Sequence, residues 1–194
     1  MPLTDRFLLA FELAFHLHSG QTRKGSPAPY ITHLMAVAAL TGEFGGTEEQ
    51  MIAAMLHDAV EDQGGAATRE RIREAFGDHI VELVDACSDT DESPKPPWQA
   101  RKEAFLEKTR HLPGEARLIV AADKLHNIRA LLMDYEQHGE ALWERFKGKR
   151  EGTLWYHEAV VAALSEGWEH PILDVLGAEY GRLAAAAGGN PDHV

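Results

Sequence analysis

Apolar residues along this 194-residue chain return every three to four positions, as on one face of a helix. No run of strand length alternates apolar with polar residues between turns. That pattern predicts an all-α fold. The length fits one compact domain, expected over residues 1–187, with residues 188–194 (Ala-rich end fading into GGNPDHV) as a flexible tail. Hydrophobic residues at 44% and charged residues at 26% allow a core to form without disulfides. A lone Cys87 excludes an internal disulfide and a cysteine-based zinc site, and is expected to be a small core residue. No stretch approaches the roughly 18 apolar residues of a membrane span, and the N-terminal apolar part carries Asp5 and Glu12, unlike a secretory signal. The expectation is a cytoplasmic protein with no membrane attachment.

Thirty-one acidic against 19 basic residues give a net charge of -12, which disfavours nucleic acid or anionic lipid as partner. A polyanionic substrate would then need a metal ion or a local basic patch. The composition leaves an oligomer open.

Periodicity and punctuation place the helices. The first runs from Phe7 to a stop at Gly20. After a loop over 21–31, a second covers residues 30–44 and ends at Gly45 and Gly46. Thr47 with Gln50 forms a capping box for a third helix, expected to run unbroken through His57 to Asp62. Thr68 is expected to cap a short helix that Gly77 interrupts. Residues 88–97 read as a mobile loop, followed by helices over 98–110, 115–136, 139–147, 152–166 and 172–186.

Chemistry concentrates in the third helix. His57 and Asp58 are adjacent, with Glu61 and Asp62 one turn further on, so that ionisable groups crowd one helix end. An antiparallel second helix would bring His33 beside them. Asp123, preceded by the apolar run Leu118 to Ala122, needs a partner if buried. Two imidazoles and two carboxylates make a nitrogen and oxygen set suited to one six-coordinate Mn²⁺, Fe²⁺ or Mg²⁺, with positions left for water. Such a cation lowers the pKa of water and offsets phosphate charge. Taken singly, each of these residues is also what a solvated helix end offers.

The order His33, His57-Asp58, Asp123 resembles the HD phosphohydrolase superfamily. HSGQTRKGSPAPYITHLMAVA, AAMLHDAVEDQ, the stretch from Thr68 to Asp89, and ADKLHNIRAL together resemble the hydrolase domain of RelA/SpoT-type alarmone enzymes, over roughly residues 14 to 135. In length the chain resembles the stand-alone small alarmone hydrolases, including the metazoan SpoT-homologue type. The resemblance implies a single-domain multi-helix HD-domain bundle, with His33, His57, Asp58 and Asp123 as ligands, normally for Mn²⁺. It implies that Glu61 and Asp62 position or activate the attacking water. Arg23, Lys24 and Asn127 are implied to contact the nucleotide. The implied reaction removes pyrophosphate from the ribose 3′ position of guanosine tetra- or pentaphosphate, the alarmones of the stringent response, giving GDP or GTP.

Two departures stand out. The family reads R-K-x-G-x-P-Y-I where this chain has Arg23-Lys24-Gly25-Ser26-Pro27-Ala28-Pro29-Tyr30, and Ala130 stands where many members carry a polar residue. About sixty residues follow the matched stretch, too few for a synthetase domain. Lys95, Arg101 and Lys102 border the proline-rich loop within reach of distal phosphates, and Tyr156 with Trp155 offers a ring for stacking. The other His residues from His111 onward, His126 and His157 among them, are expected to be structural or surface groups. Competing functions are a phosphatase acting on NADPH or a nucleoside monophosphate, and a non-catalytic metal-binding regulator.

Overall fold

A computed structural model describes residues 2–90 and 94–188. Among these the chain forms ten α-helices and one 3-10 segment, without a strand. They are α1 Asp5–Leu17, α2 Ile31–Glu43, α3 Glu48–Leu56, α4 Ala59–Asp62, α5 Ala66–Phe76, α6 Asp78–Cys87, α7 Trp98–Arg110, α8 Gly114–His138, the 3-10 segment Gly139–Arg145, α9 Lys149–Ser165 and α10 Pro171–Ala186. The all-α expectation is met. None of these helices is long and apolar enough to cross a membrane. The expected tail, Gly188 apart, lies outside the described residues.

The α2–α3 hairpin builds half of the site. Gly45 turns the chain with φ +87, a region closed to most side chains, and at Gly46 a Cβ would come within 2.7 Å of the Thr41 carbonyl oxygen. Thr47 then caps α3: its hydroxyl accepts from the Gln50 amide, and the Gln50 side chain accepts from the Thr47 amide at 2.8 Å. Thr47→Ala is expected to lower unfolding free energy by about 0.5–2 kcal/mol. Urea denaturation followed by circular dichroism measures this, and an unchanged midpoint would mean that the box adds nothing.

The other half rests on α8. Ile119, Ala121, Ala122, Leu125 and Ile128 are fully buried along it, and it packs on α2, α3, α6, α9 and α10. Each large side chain there contributes roughly 1.5–3 kcal/mol by leaving water. The buried Arg117 guanidinium donates to the carbonyls of Leu112 at 2.8 Å, Arg110 at 2.5 Å and Leu164 at 3.1 Å, tying α7, α8 and α9 together where their ends meet.

Three expectations need correction. The third helix does not run unbroken to Asp62: α3 stops at Leu56, His57 and Asp58 form a turn, and α4 resumes at Ala59. The Ala54 carbonyl, which in an unbroken helix would take the Asp58 amide, instead accepts from His57 Nδ1 at 2.7 Å, and Asp58 relaxes to φ -97, ψ -1. Thr68 is not a cap. Gly64 and Gly65, both at positive φ, let α5 begin at Ala66, and the buried Thr68 hydroxyl donates back to the Gln63 carbonyl. Residues 139–147 hold a 3-10 segment in place of an α-helix, because Gly139 at φ +56 ends α8 and tightens the turn.

Candidate functional site

Antiparallel packing of α2 and α3 sets His33 beside His57, with ring centroids 5.2 Å apart. The turn after α3 swings Asp58 toward the same point, so that its Oδ2 lies 3.0 Å from His57 Nε2 and 3.7 Å from His33 Nε2. Asp123 enters from α8, with Oδ1 3.2 Å from His33 Nε2 and 3.7 Å from His57 Nε2. Ligand atoms of His33, His57 and Asp58 all fall within 4.8 Å of one another. The four residues that the sequence singled out therefore converge from three elements.

Their hydrogen bonds fit a cation. His57 Nδ1 must carry its proton to donate to the Ala54 carbonyl, which leaves the Nε2 lone pair facing the acids in the neutral ring. That Nε2 is buried and has no hydrogen-bond partner. A buried imidazole lone pair aimed at two carboxylates is what a divalent ion satisfies. Without an ion, burial disfavours charge on His57, but Asp58 and Asp123 beside it prevail and raise its pKa well above the usual value. On His33 the same burial prevails and lowers its pKa despite Asp123. Burial opposes ionisation of Asp58 and Asp123 as well, yet the His57 charge beside Asp58 and the Lys124 ammonium beside Asp123 hold both below the carboxylate range.

A second layer holds these four residues, and most of it is not marked by the sequence. Tyr30 Oη donates to Asp58 Oδ2 at 2.5 Å. Lys124 Nζ meets Asp123 Oδ2 at 2.6 Å, while Asn127 Nδ2 donates to Asp123 Oδ1 at 2.6 Å. His126, set aside as a structural or surface group, shares a 2.8 Å Nδ1–Nδ1 hydrogen bond with His33. A usable signal was there for two of them: Tyr30 precedes His33 by three positions and His126 follows Asp123 by three, the spacing that puts neighbours on one helix face.

Beside the cluster lies a cavity of about 140 Å³, which opens toward a cleft of about 830 Å³. Glu61 lines both. Its Oε1 meets Lys95 Nζ at 2.9 Å and its Oε2 accepts from the Asp89 amide at 3.3 Å. Burial raises the Glu61 pKa; Lys95 opposes this, and Asp89 adds to it. Asp62 is exposed and accepts from Gln21 Nε2 at 2.9 Å, so the acidic pair splits into an inner and an outer carboxylate.

Arg23 donates to Asn127 Oδ1 at 2.7 Å, which links the cleft wall to the Asp123 shell. Its loop is a small hairpin, bridged between Thr22 and Pro29. Lys24 lies 5.1 Å over the Phe146 ring at the cleft edge. Asp89 gathers Arg101 and Lys102 at 2.6 and 2.7 Å. Tyr156 is buried and lines both spaces, with Lys102 Nζ 4.5 Å and Lys124 Nζ 5.7 Å from its ring centroid. Trp155 packs edge-on against Trp98, at 6.1 Å. Cys87 lines the smaller cavity and is only partly buried.

A family model described as HD domain matches residues 10–154. Guanosine-3′,5′-bis(diphosphate) 3′-pyrophosphohydrolase from Haemophilus influenzae is 38% identical over 125 residues, 61% of this chain and 18% of that protein. The chain therefore spans under a fifth of that relative. The similarly named MESH1 of Xenopus tropicalis is 35% identical over 127 residues, 64% of this chain and 68% of the relative. A solved structure described as a metazoan ortholog of SpoT superposes with a TM-score of 0.78 at 24% identity, over 97% of this chain and 98% of the other, a likeness of fold. With its histidine and aspartate cluster inside the matched region, the chain belongs to the HD-domain family.

Proposed function

We propose that this chain, through a domain of residues 1–187, hydrolyses guanosine tetra- or pentaphosphate at the ribose 3′ position, releasing pyrophosphate and GDP or GTP. The observation that carries the reading is the pairing of a four-residue metal-type cluster with an adjoining cavity lined by one inner carboxylate, Glu61, and the cations Arg23, Lys102 and Lys124. The curated names of the relatives from Haemophilus influenzae and Xenopus tropicalis support the choice of substrate.

His33, His57, Asp58 and Asp123 would hold one divalent cation, Mn²⁺. When bound, it supplies Lewis acidity and offsets phosphate charge. Glu61 accepts a proton from the attacking water. The water oxygen bonds to phosphorus, the bond from phosphorus to the 3′ oxygen breaks, and that oxygen leaves as a hydroxyl with a proton from solvent, while Glu61 returns its own to solvent. Asp62 and Lys95 keep Glu61 in place from the outer side, since Lys95 Nζ lies 3.8 Å from Asp62. Arg23, Lys24 and Asn127 bind the nucleotide from the wide cleft, and Lys102 and Tyr156 bind its phosphates.

Incubation with Mn²⁺ and guanosine tetraphosphate, NADPH or a nucleoside monophosphate, with products separated by chromatography, tests this directly. Pyrophosphate and GDP from the first alone are expected. Orthophosphate from NADPH or a monophosphate would move the activity to another nucleotide, and no product would leave a metal-binding regulator.

Arg23→Ala is expected to raise KM about tenfold and leave kcat nearly unchanged, because a cation outside the metal-type cluster binds ground and transition states alike. A fall in kcat at constant KM would give Arg23 a part in turnover.

A further inference from the structure

One wall of the cleft holds two adjacent residues of α9 with unmet hydrogen-bonding capacity. Tyr156 is 7% and His157 is 6% exposed, and both line the wide cleft, Tyr156 the smaller cavity as well. Tyr156 Oη and His157 Nδ1 are buried without a hydrogen-bond partner. A buried hydroxyl or imidazole nitrogen left unpaired in a folded protein loses about 1–3 kcal/mol, so such groups mark a place where something else completes them.

The charge around them specifies what that something is. Lys102 and Lys124 stand over the Tyr156 ring, which bars the flat stacking of a base on that face. Asp123 engages Lys124 and Asp89 is shared by Arg101 and Lys102, so three cations meet two carboxylates on this side, while Glu61 on the same cavity is paired with Lys95. Burial, then Lys124 and Lys102, lower the His157 pKa to about 3, so its ring is a neutral donor in a positive field. A cavity of about 140 Å³ has room for a few water-sized groups, taking roughly 30 Å³ for each water, and none for a nucleoside; the cleft of about 830 Å³ takes the latter.

We infer that Tyr156 Oη and His157, with Lys102 and Lys124, form the receiving site for the departing diphosphate, Tyr156 donating to the phosphate next to the broken bond and His157 to the outer one. This rests on the hydrolytic reading above and adds His157 to the substrate contacts. It also assigns the phosphate contact of Tyr156 to its unpartnered hydroxyl. The diphosphate leaves through the wide cleft, past His157.

Inorganic pyrophosphate is the probe. Titrated calorimetrically into protein freed of metal with a chelator, it is expected to bind, and Tyr156→Phe and His157→Gln are each expected to weaken it about 10- to 100-fold, the worth of one hydrogen bond to a charged group. Tyr156→Phe removes a single oxygen that has no partner in the protein, so its fold is expected to survive, with the melting temperature as control. In Mn²⁺-loaded protein the inhibition constant for pyrophosphate is expected to rise by the same factor at unchanged metal content. Failure of pyrophosphate to bind the wild type, or its binding equally well to folded Tyr156→Phe, overturns the inference. Cleavage of guanosine tetraphosphate with pyrophosphate indifferent to both residues removes this site and leaves the reaction. Pyrophosphate held by both residues without such cleavage removes the reaction and keeps the site.

Discussion

Asp58→Ala protein is expected to emerge from gel filtration with its divalent cation lost, and with hydrolysis reduced by more than about 100-fold. The basis is geometric. Asp58 Oδ2 is the one carboxylate oxygen within 3.0 Å of the unpartnered His57 Nε2, so its removal takes away both a donor and the negative charge that favours a cation there. Losing a partner that only orients a ligand costs about 10- to 100-fold in metal affinity. Tyr30→Phe, which deletes the 2.5 Å hydrogen bond to Asp58 and keeps the carboxylate, falls in that lesser range. Elemental analysis of both variants after dialysis decides the point, and Asp58→Ala protein that retains full metal would refute the ligand set.

Glu61→Gln has the second large effect, on turnover alone. A proton-accepting carboxylate contributes about 10²- to 10⁴-fold in rate, and the amide keeps the size while losing the basicity. Metal content is expected to persist, because Glu61 bonds with Lys95 and the Asp89 amide and none of its hydrogen bonds reaches the four-residue cluster. Asp62→Asn, at the exposed outer position, is expected to cost far less. The pH profile supplies an independent reading. Burial raises the Glu61 pKa above that of an ordinary carboxyl, so activity is present above this raised value and is lost as pH falls through it, at a higher pH than for a solvated glutamate. In Glu61→Gln that acid limb should vanish from the residual rate. Wild-type kcat in the variant, or an unchanged limb, would assign proton transfer to another group.

The sequence pointed to the four clustered residues because metal chemistry restricts donor types and because His33, His57-Asp58 and Asp123 stand in an order that few other constraints produce. Helix positions were legible where local chemistry sets them: α7 begins at Trp98 after Pro96-Pro97, and α3 begins after its capping box. The break after Leu56 was not legible, since it depends on a side chain competing with the backbone for one carbonyl, which periodicity does not register. Tyr30 and His126 carried only the local hint of their three-residue spacing, because the contacts they make lie far apart in sequence. Residues 93 apart meet at His33 and His126, and only packing of α2 on α8 creates that contact. His157 reads as a structural or surface group and Tyr156 only as a ring for stacking, because a sequence does not show which buried polar atoms are left without a partner.

That short turn between α3 and α4 carries a lesson for anyone transplanting this kind of centre. Consecutive positions on a regular helix diverge by 100°, so a straight segment would send the imidazole of His57 and the carboxylate of Asp58 to different sides. Here they meet within 3.0 Å because the peptide at Asp58 has left the helical path. Grafting the dipeptide onto an idealised helical scaffold would reproduce the letters and scatter the donors. The portable unit includes the backbone fault together with the Ala54 oxygen that sustains it, and a designer who repairs the fault for stability would dismantle the centre.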